Sequence, residues 1–244
     1  ESKIQALENI SFNINNKGSL GLIGVTGSGK TTLLRLITRS FNIDSGNILI
    51  DDKNISDFDI ESLRKQIGIV PQDSFLFSDS IINNIRFGNE KASIKEIKQI
   101  CKIAGIHKEI IKFKDGYETI LGERGVNLSG GQKQRICIAR ALIKNPKILI
   151  LDDCLSALDT ETEKKIMQSL KKYIINTTTI ISSHRLSSVQ NLNEIIVLKD
   201  GKIIQKGNHE KLIKQNGYYK ELFSKQLTKK AVSYTHLTLP TNTV

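Results

Sequence analysis

Hydrophobic and polar positions along the chain follow two periods, and the switches between them outline the elements. Residues 7–14 read LENISFNI, apolar at alternate positions, which predicts a half-buried strand. After a Lys17-Gly18 turn, residues 19–25 form an apolar run that predicts a buried strand entering a glycine-rich loop. The period then becomes helical over residues 30–40, with Leu33, Leu34, Leu36 and Ile37 as the apolar face. A short strand at 47–50, a short helix at 60–66 and a strand at 67–70, stopped by Pro71, come next. Residues 74–128 keep a helical period, as at Ile94, Ile97, Ile100 and Cys101, and predict a helical subdomain.

Strand and helix then alternate again. A helix is expected over 130–144, an apolar strand over 147–151, an amphipathic helix over 161–173 and a strand over 177–182. Residues 194–198 and 202–205 flank Asp200-Gly201, a hairpin signal. Such alternation predicts an α/β fold whose mostly parallel sheet is covered on both faces. No internal repeat or sustained heptad pattern interrupts it.

Composition narrows the class. A chain of 244 residues with 39% hydrophobic content can bury a core. The 36 Lys and Arg outnumber the 25 Asp and Glu, for a net charge of +11. The lysines are scattered among isoleucines and asparagines, so they read as solvated surface, and no nucleic-acid partner is expected. Three cysteines without a CxxC spacing argue against a disulfide scaffold or a thiol zinc site. No apolar run reaches the roughly 18–20 residues of a membrane span, and no signal peptide opens the chain. The expectation is a cytosolic globular domain over residues 1–231. Residues 232–244, containing VSYTHLTLPT, are uncharged apart from a histidine and resemble translated sequencing-adaptor sequence, so they are set apart from the fold. The start at Glu1-Ser2-Lys3, without Met, is read as the cut end of a longer chain.

The strongest chemical signal is Gly24-Val25-Thr26-Gly27-Ser28-Gly29-Lys30-Thr31, a match to G-x-x-x-x-G-K-[ST] between an expected strand and an expected helix. Such a loop turns successive backbone N–H groups toward phosphate oxygens, and the helix N-terminus adds its positive end. Lys30 would reach the β- and γ-phosphates and Thr31 would ligate Mg2+, with Thr32 next to it in the nucleotide-binding set. Residues 147–153, KILILDD, form an apolar strand ending in two carboxylates. Asp152 is the candidate for the Mg2+ shell, and Asp153 stands where a general base for water is expected. If the strand stays regular, these side chains point to opposite faces.

Leu128-Ser129-Gly130-Gly131-Gln132 opens a helix continuing KQRICIARAL. With that motif ahead of the carboxylate strand, the chain resembles the nucleotide-binding domains of ABC ATPases over essentially residues 2–226. The resemblance implies a P-loop NTPase fold with a mostly parallel core sheet, a small antiparallel β subdomain and an α-helical subdomain. It also implies that Ser129, Gly130, Gly131 and Gln132 close over the ATP held by a partner's phosphate loop, in a head-to-tail dimer. Within the same resemblance, Val70-Pro71-Gln72-Asp73 matches the Q-loop, where Gln72 senses Mg2+ or water. Ser156-Ala157-Leu158-Asp159 matches the D-loop, which acts across the dimer and adds Asp159 to the nucleotide set. His184 matches the switch histidine that contacts the γ-phosphate.

Gly122-Glu123-Arg124-Gly125, residues 75–88 and residues 203–223 resemble the x-loop, the segment facing the coupling helices and the C-terminal hairpin and helix of exporters. The family resemblance therefore implies a transmembrane domain outside this sequence and a place at the cytoplasmic face of a bacterial plasma membrane. Two departures stand out. No Tyr precedes Lys30, so the family's adenine-stacking aromatic has no counterpart among these residues. And Asp153 stands where most hydrolytic members carry Glu, one methylene longer, as in the slow, degenerate half of heterodimeric exporters. Rival expectations are a fully hydrolytic homodimeric exporter, an importer ATPase working with separate membrane subunits, and a DNA-repair-type ABC ATPase. The last is disfavoured by the stretch between Gln72 and Ser129, which carries no heptads.

Overall fold

A computed structural model describes residues 5–235. Strand β1 (Ser19–Ile23) leads through the glycine-rich loop into helix α1 (Lys30–Ile37). Two short strands, β2 (Leu49–Ile50) and β3 (Lys53–Asn54), pair antiparallel, and α2 (Ile60–Gln66) runs into β4 (Ile67–Val70). Helices α3 (Ile81–Arg86), α4 (Ile94–Ile103) and α5 (His107–Ile110) occupy the stretch with helical period, separated by loops and 3-10 turns. Helix α6 (Gly130–Leu142) and strand β5 (Ile148–Asp152) follow, then α7 (Thr160–Asn176) and β6 (Thr178–Ser182). The chain continues with the hairpin β7 (Glu194–Lys199) and β8 (Lys202–Gly207), then α8 (His209–Lys214) and α9 (Tyr218–Thr235). Helix α9 extends to Thr235, past the start of the segment set apart at 232; residues 236–244 lie outside the described residues.

The main sheet has six strands in the order β4-β5-β6-β1-β7-β8. Every neighbouring pair is parallel except β7–β8. Side chains of successive strand residues go to opposite faces, and two clusters of buried residues record this. Leu149 and Leu151 join Ile23, Ile181 and Val197 with residues of α3, α4, α6 and α7. Ile150 joins Leu20, Leu22, Ile180 and Ile196 under Leu33, Leu34 and Ile37 of α1. Burial on both faces explains the uninterrupted apolar run of β5.

Residues 7–14 differ from the expected strand. The alternation is real in burial: Leu7, Ile10, Phe12 and Ile14 pack against the α1 side of the sheet while Ser11 and Asn13 are exposed. Yet among the described residues the segment joins no ladder, and its one backbone bond to another segment runs from Glu8 N–H to the Gly201 carbonyl at 2.9 Å. A period of two reports which side chains are buried, and it is silent on whether a second backbone lies alongside.

Candidate functional site

The strand order places β1 between β6 and β7, so the loop after β1 opens beside the ends of β5 and β6. This brings residues 24–31, 152–153 and 182–184 to one edge of the sheet, the carboxyl end where open α/β sheets bind ligands. Within the loop, Lys30 is buried and its Nζ donates to the carbonyls of Gly24 (2.8 Å) and Val25 (2.9 Å) and to Ser28 Oγ (3.3 Å). Val25, Thr26 and Gly27 are exposed at the rim, and Thr31 and Thr32 are half-buried. Gly24 is a site of close approach: a Cβ there would lie 2.3 Å from the Leu198 carbonyl oxygen and 2.5 Å from Ser28 Oγ. Burial lowers the proton affinity of Lys30, and the charges of Asp153 and Asp152 oppose that.

The second carboxylate corrects the expectation of a regular strand. Strand β5 stops at Asp152, and Asp153 takes a φ of 44°, a left-handed conformation that short polar residues tolerate better than most. Its N–H donates to both the carbonyl and Oγ of Ser182 at 3.0 Å, which anchors the turn. Both carboxylates lie close enough for their charge to act on the Lys30 ammonium, though neither pairs with it directly. They are 5% and 7% exposed, so neither is diluted by water. Asp152 Oδ1 accepts from Ser182 Oγ at 2.5 Å. Burial raises the proton affinity of Asp153, whereas His184 and Lys30 pull it down. His184 lies close: its Nε2 is 3.7 Å from Asp153 Oδ2 and its N–H is 3.4 Å from Oδ1.

The remaining sequence candidates make no hydrogen bond to this cluster among the described residues, although Gln72 follows β4 at the same carboxyl edge of the sheet, where Val70 pairs with Leu151. Gln72 is exposed just beyond β4 and makes no side-chain hydrogen bond among the described residues. Ser129 and Gly130 are exposed at the start of α6. There, Ser129 Oγ accepts from Gln132 N–H at 3.2 Å and Gln132 Oε1 accepts from Ser129 N–H at 2.9 Å, a reciprocal capping box. The Gln132 amide also donates to Glu109, which pairs with Arg135. Gly131 abuts Leu158, and Asp159 caps α7 by accepting from Glu161 and Thr162 N–H groups. No hydrogen bond among the described residues joins 129–132 to 24–32.

Three participants were not singled out by sequence. Ser182 binds Asp152 and the Asp153 amide. Arg185 donates to Glu163, which is 1% exposed, and to the carbonyls of Leu158 and Ser156, tying the segment after β6 to the loop after β5. Gln226 on α9 binds the His184 segment. The polar run Ser182-Ser183-His184-Arg185 after an apolar strand was a visible signal for the first two. Nothing local marked Gln226.

A loop of backbone amides, a lysine, a hydroxyl and two carboxylates at a sheet's carboxyl end is a donor set for a magnesium-bound nucleotide. Thr31 and Asp152 suit Mg2+, which prefers a few protein oxygens and completes its shell with waters and phosphates. The family profile described as ABC transporter matches residues 7–156. The chain belongs to the ABC transporter family. Its fold is that family's ATP-binding domain, the unit that hydrolyses ATP.

Relatives agree. The "Multidrug resistance-like ATP-binding protein MdlA" of Buchnera aphidicola subsp. Schizaphis graminum is 52% identical over 227 residues, 93% of this chain and 39% of that protein. The "Uncharacterized ABC transporter ATP-binding protein YfiB" of Bacillus subtilis is 47% identical over 91% of this chain and 38% of its own length. A solved structure, "Structure of a bacterial Atm1-family ABC exporter with ATP bound", superposes with a TM-score of 0.88 at 41% identity. It covers 91% of this chain and 39% of that one. The chain thus spans about two fifths of the length of these relatives. No helix among the described residues is long and apolar enough to cross a membrane.

Proposed function

We propose that residues 1–231 form the ATP-binding domain of a bacterial exporter subunit at the cytoplasmic face of the plasma membrane, and that this subunit is the slow half of a heterodimer. The observation that carries the reading is the convergence of Lys30, Asp152, Asp153 and His184 at one edge of the sheet, with a separate signature at Ser129–Gln132 whose first two residues are exposed. Loop residues Gly24–Thr32 would hold the phosphates, and Thr31, Asp152 and Gln72 would hold Mg2+. Bound Mg-ATP supplies the phosphoryl group, its charge neutralised by the metal. Asp153 would accept the proton of water, with His184 and Lys30 opposing the burial that raises its proton affinity. His184 contacts the γ-phosphate, and Ser129–Gln132 with Asp159 serve the nucleotide of a partner subunit in a head-to-tail dimer.

The slow-site reading rests on side-chain length. Aspartate falls about 1.5 Å short of glutamate, one carbon–carbon bond of reach. A displacement of roughly 1 Å of a reacting group costs about 10²-fold in rate. The test is steady-state ATP hydrolysis by the intact subunit, alone and with its partner, comparing Asp153 with Asp153→Glu. We expect the native subunit alone to be nearly inactive and glutamate to raise turnover by about tenfold or more. Brisk native turnover that glutamate does not improve would make Asp153 a working base in a homodimeric exporter. An upstream coding sequence for fused membrane helices separates the exporter from an importer ATPase.

The surface around α3 supports a membrane-domain partner. Phe75, Phe77 and Phe87 are exposed there, with ring centroids 5.1 and 4.8 Å apart along the series. Arg140 underpins them, donating to the Phe75 carbonyl at 2.9 Å and the Asn84 carbonyl at 2.8 Å.

A further inference from the structure

Gln226 lies on α9, about two turns beyond Tyr218. Its side-chain amide straddles the segment after β6. Nε2 donates to the His184 carbonyl at 2.8 Å, and Oε1 accepts from the Leu186 N–H at 3.1 Å. A carboxamide offers one donor and one acceptor in a plane, so it grips two backbone groups as a neighbouring strand would. Arg185, between those residues, turns the other way, to Glu163 and to the carbonyls of Ser156 and Leu158.

The backbone around His184 is therefore held from two sides, and the imidazole is the part left to move. It is 39% exposed and 3.7 Å from Asp153. Helix α9 does not depend on Gln226 for its seat. Tyr219 is fully buried, Leu222 and Phe223 pack against the core, and His209 Nδ1 lies 2.8 Å from the Tyr219 hydroxyl.

We propose that Gln226 is a positioning residue for His184, by which the C-terminal helix sets the imidazole against the reacting end of the nucleotide. This rests on the assignment of His184 made above. A group held by two bonds to a rigid helix keeps its place during turnover, and its loss acts on rate more than on nucleotide affinity.

The test is ATP turnover by the intact protein carrying this chain, with Asp or Glu at 153, whichever is faster, across Gln226→Leu, Gln226→Glu, His184→Ala and the Gln226→Leu/His184→Ala pair. Gln226→Leu keeps the bulk and removes both bonds. We expect kcat to fall about tenfold with KM for ATP within about twofold, and no further loss in the His184→Ala background. Gln226→Glu loses the donor when ionised and regains one when protonated, so its kcat relative to native should rise as pH falls. Unchanged kcat in Gln226→Leu overturns the proposal, as does a loss that multiplies with that of His184→Ala. If His184→Ala itself leaves kcat unchanged, the assignment of His184 fails first and takes this one with it.

Discussion

Helix α1 begins at Gly29 without a side-chain cap, whereas α6 begins at Ser129 with a reciprocal capping box. At α1 the preceding loop folds over a buried lysine, and two buried carboxylates of the same chain act on that lysine. At α6 the first residues are exposed, and their side chains satisfy only one another and Glu109. Both helix starts favour anions by dipole and free amides. Only the first is surrounded by the groups that chemistry on a phosphate needs. In the function proposed above, one chain carries a reaction centre and, separately, a surface that would complete another.

The sharpest way to break this comparison is Lys30→Ala, which removes the one buried cation of the α1 site. In the Asp153→Glu protein, where this site is expected to turn over, the rate should fall about 10²–10³-fold, with nucleotide affinity lost as well, by phosphate release and nucleotide titration. Retained turnover would move the chemistry elsewhere. Ser129→Arg probes the other helix start. It should leave ATP affinity at the α1 loop within about twofold while lowering turnover of the assembled protein by about 10²-fold. Equal loss of affinity and turnover would mean the two starts serve one nucleotide in one chain.

A pH profile sharpens the α1 half. A base works ionised, and burial raises the proton affinity of Asp153 above that of an ordinary aspartate. Turnover should hold above that raised value and drop about tenfold per pH unit below it. His184 lowers the proton affinity of Asp153, so His184→Ala should carry the acid limb to higher pH in whatever activity remains. An acid limb that stays in place would uncouple the pair.

The smallest effect separates two glycines, one in each region, that face neighbours. A Cβ at Gly131 would meet the flexible end of Leu158 at 2.9 Å, so Gly131→Ala should cost less than about 1 kcal/mol in a thermal melt. A Cβ at Gly24 would meet a backbone carbonyl at 2.3 Å, where nothing can swing aside, and should cost about 1–3 kcal/mol.

Much of the fold was legible because its signals are local. Strand β4 falls on the expected residues 67–70, and the Asp200-Gly201 hairpin forms between β7 and β8. Helix α4 buries Ile97, Ile100 and Cys101 as its period implied, though Ile94 is exposed. The paired strand expected at 7–14 did not form, because alternation fixes a buried face without supplying a partner. Strand β3 has two residues, too few to show a period.

The site divides in the same way. The loop at 24–31, the twin carboxylates and the signature at 129–132 could be read directly, since each carries its chemistry within a few consecutive residues. That Lys30 lies within the field of Asp152 and Asp153 depends on β1 pairing beside β6, and the turn after β5 depends on one positive φ. Gln226 reaches His184 only because α9 folds back across the segment after β6. Local sequence sets periods and turns because neighbouring side chains share one backbone. Which distant surfaces meet follows from burying every apolar face at once, and that is settled only by the whole folded chain.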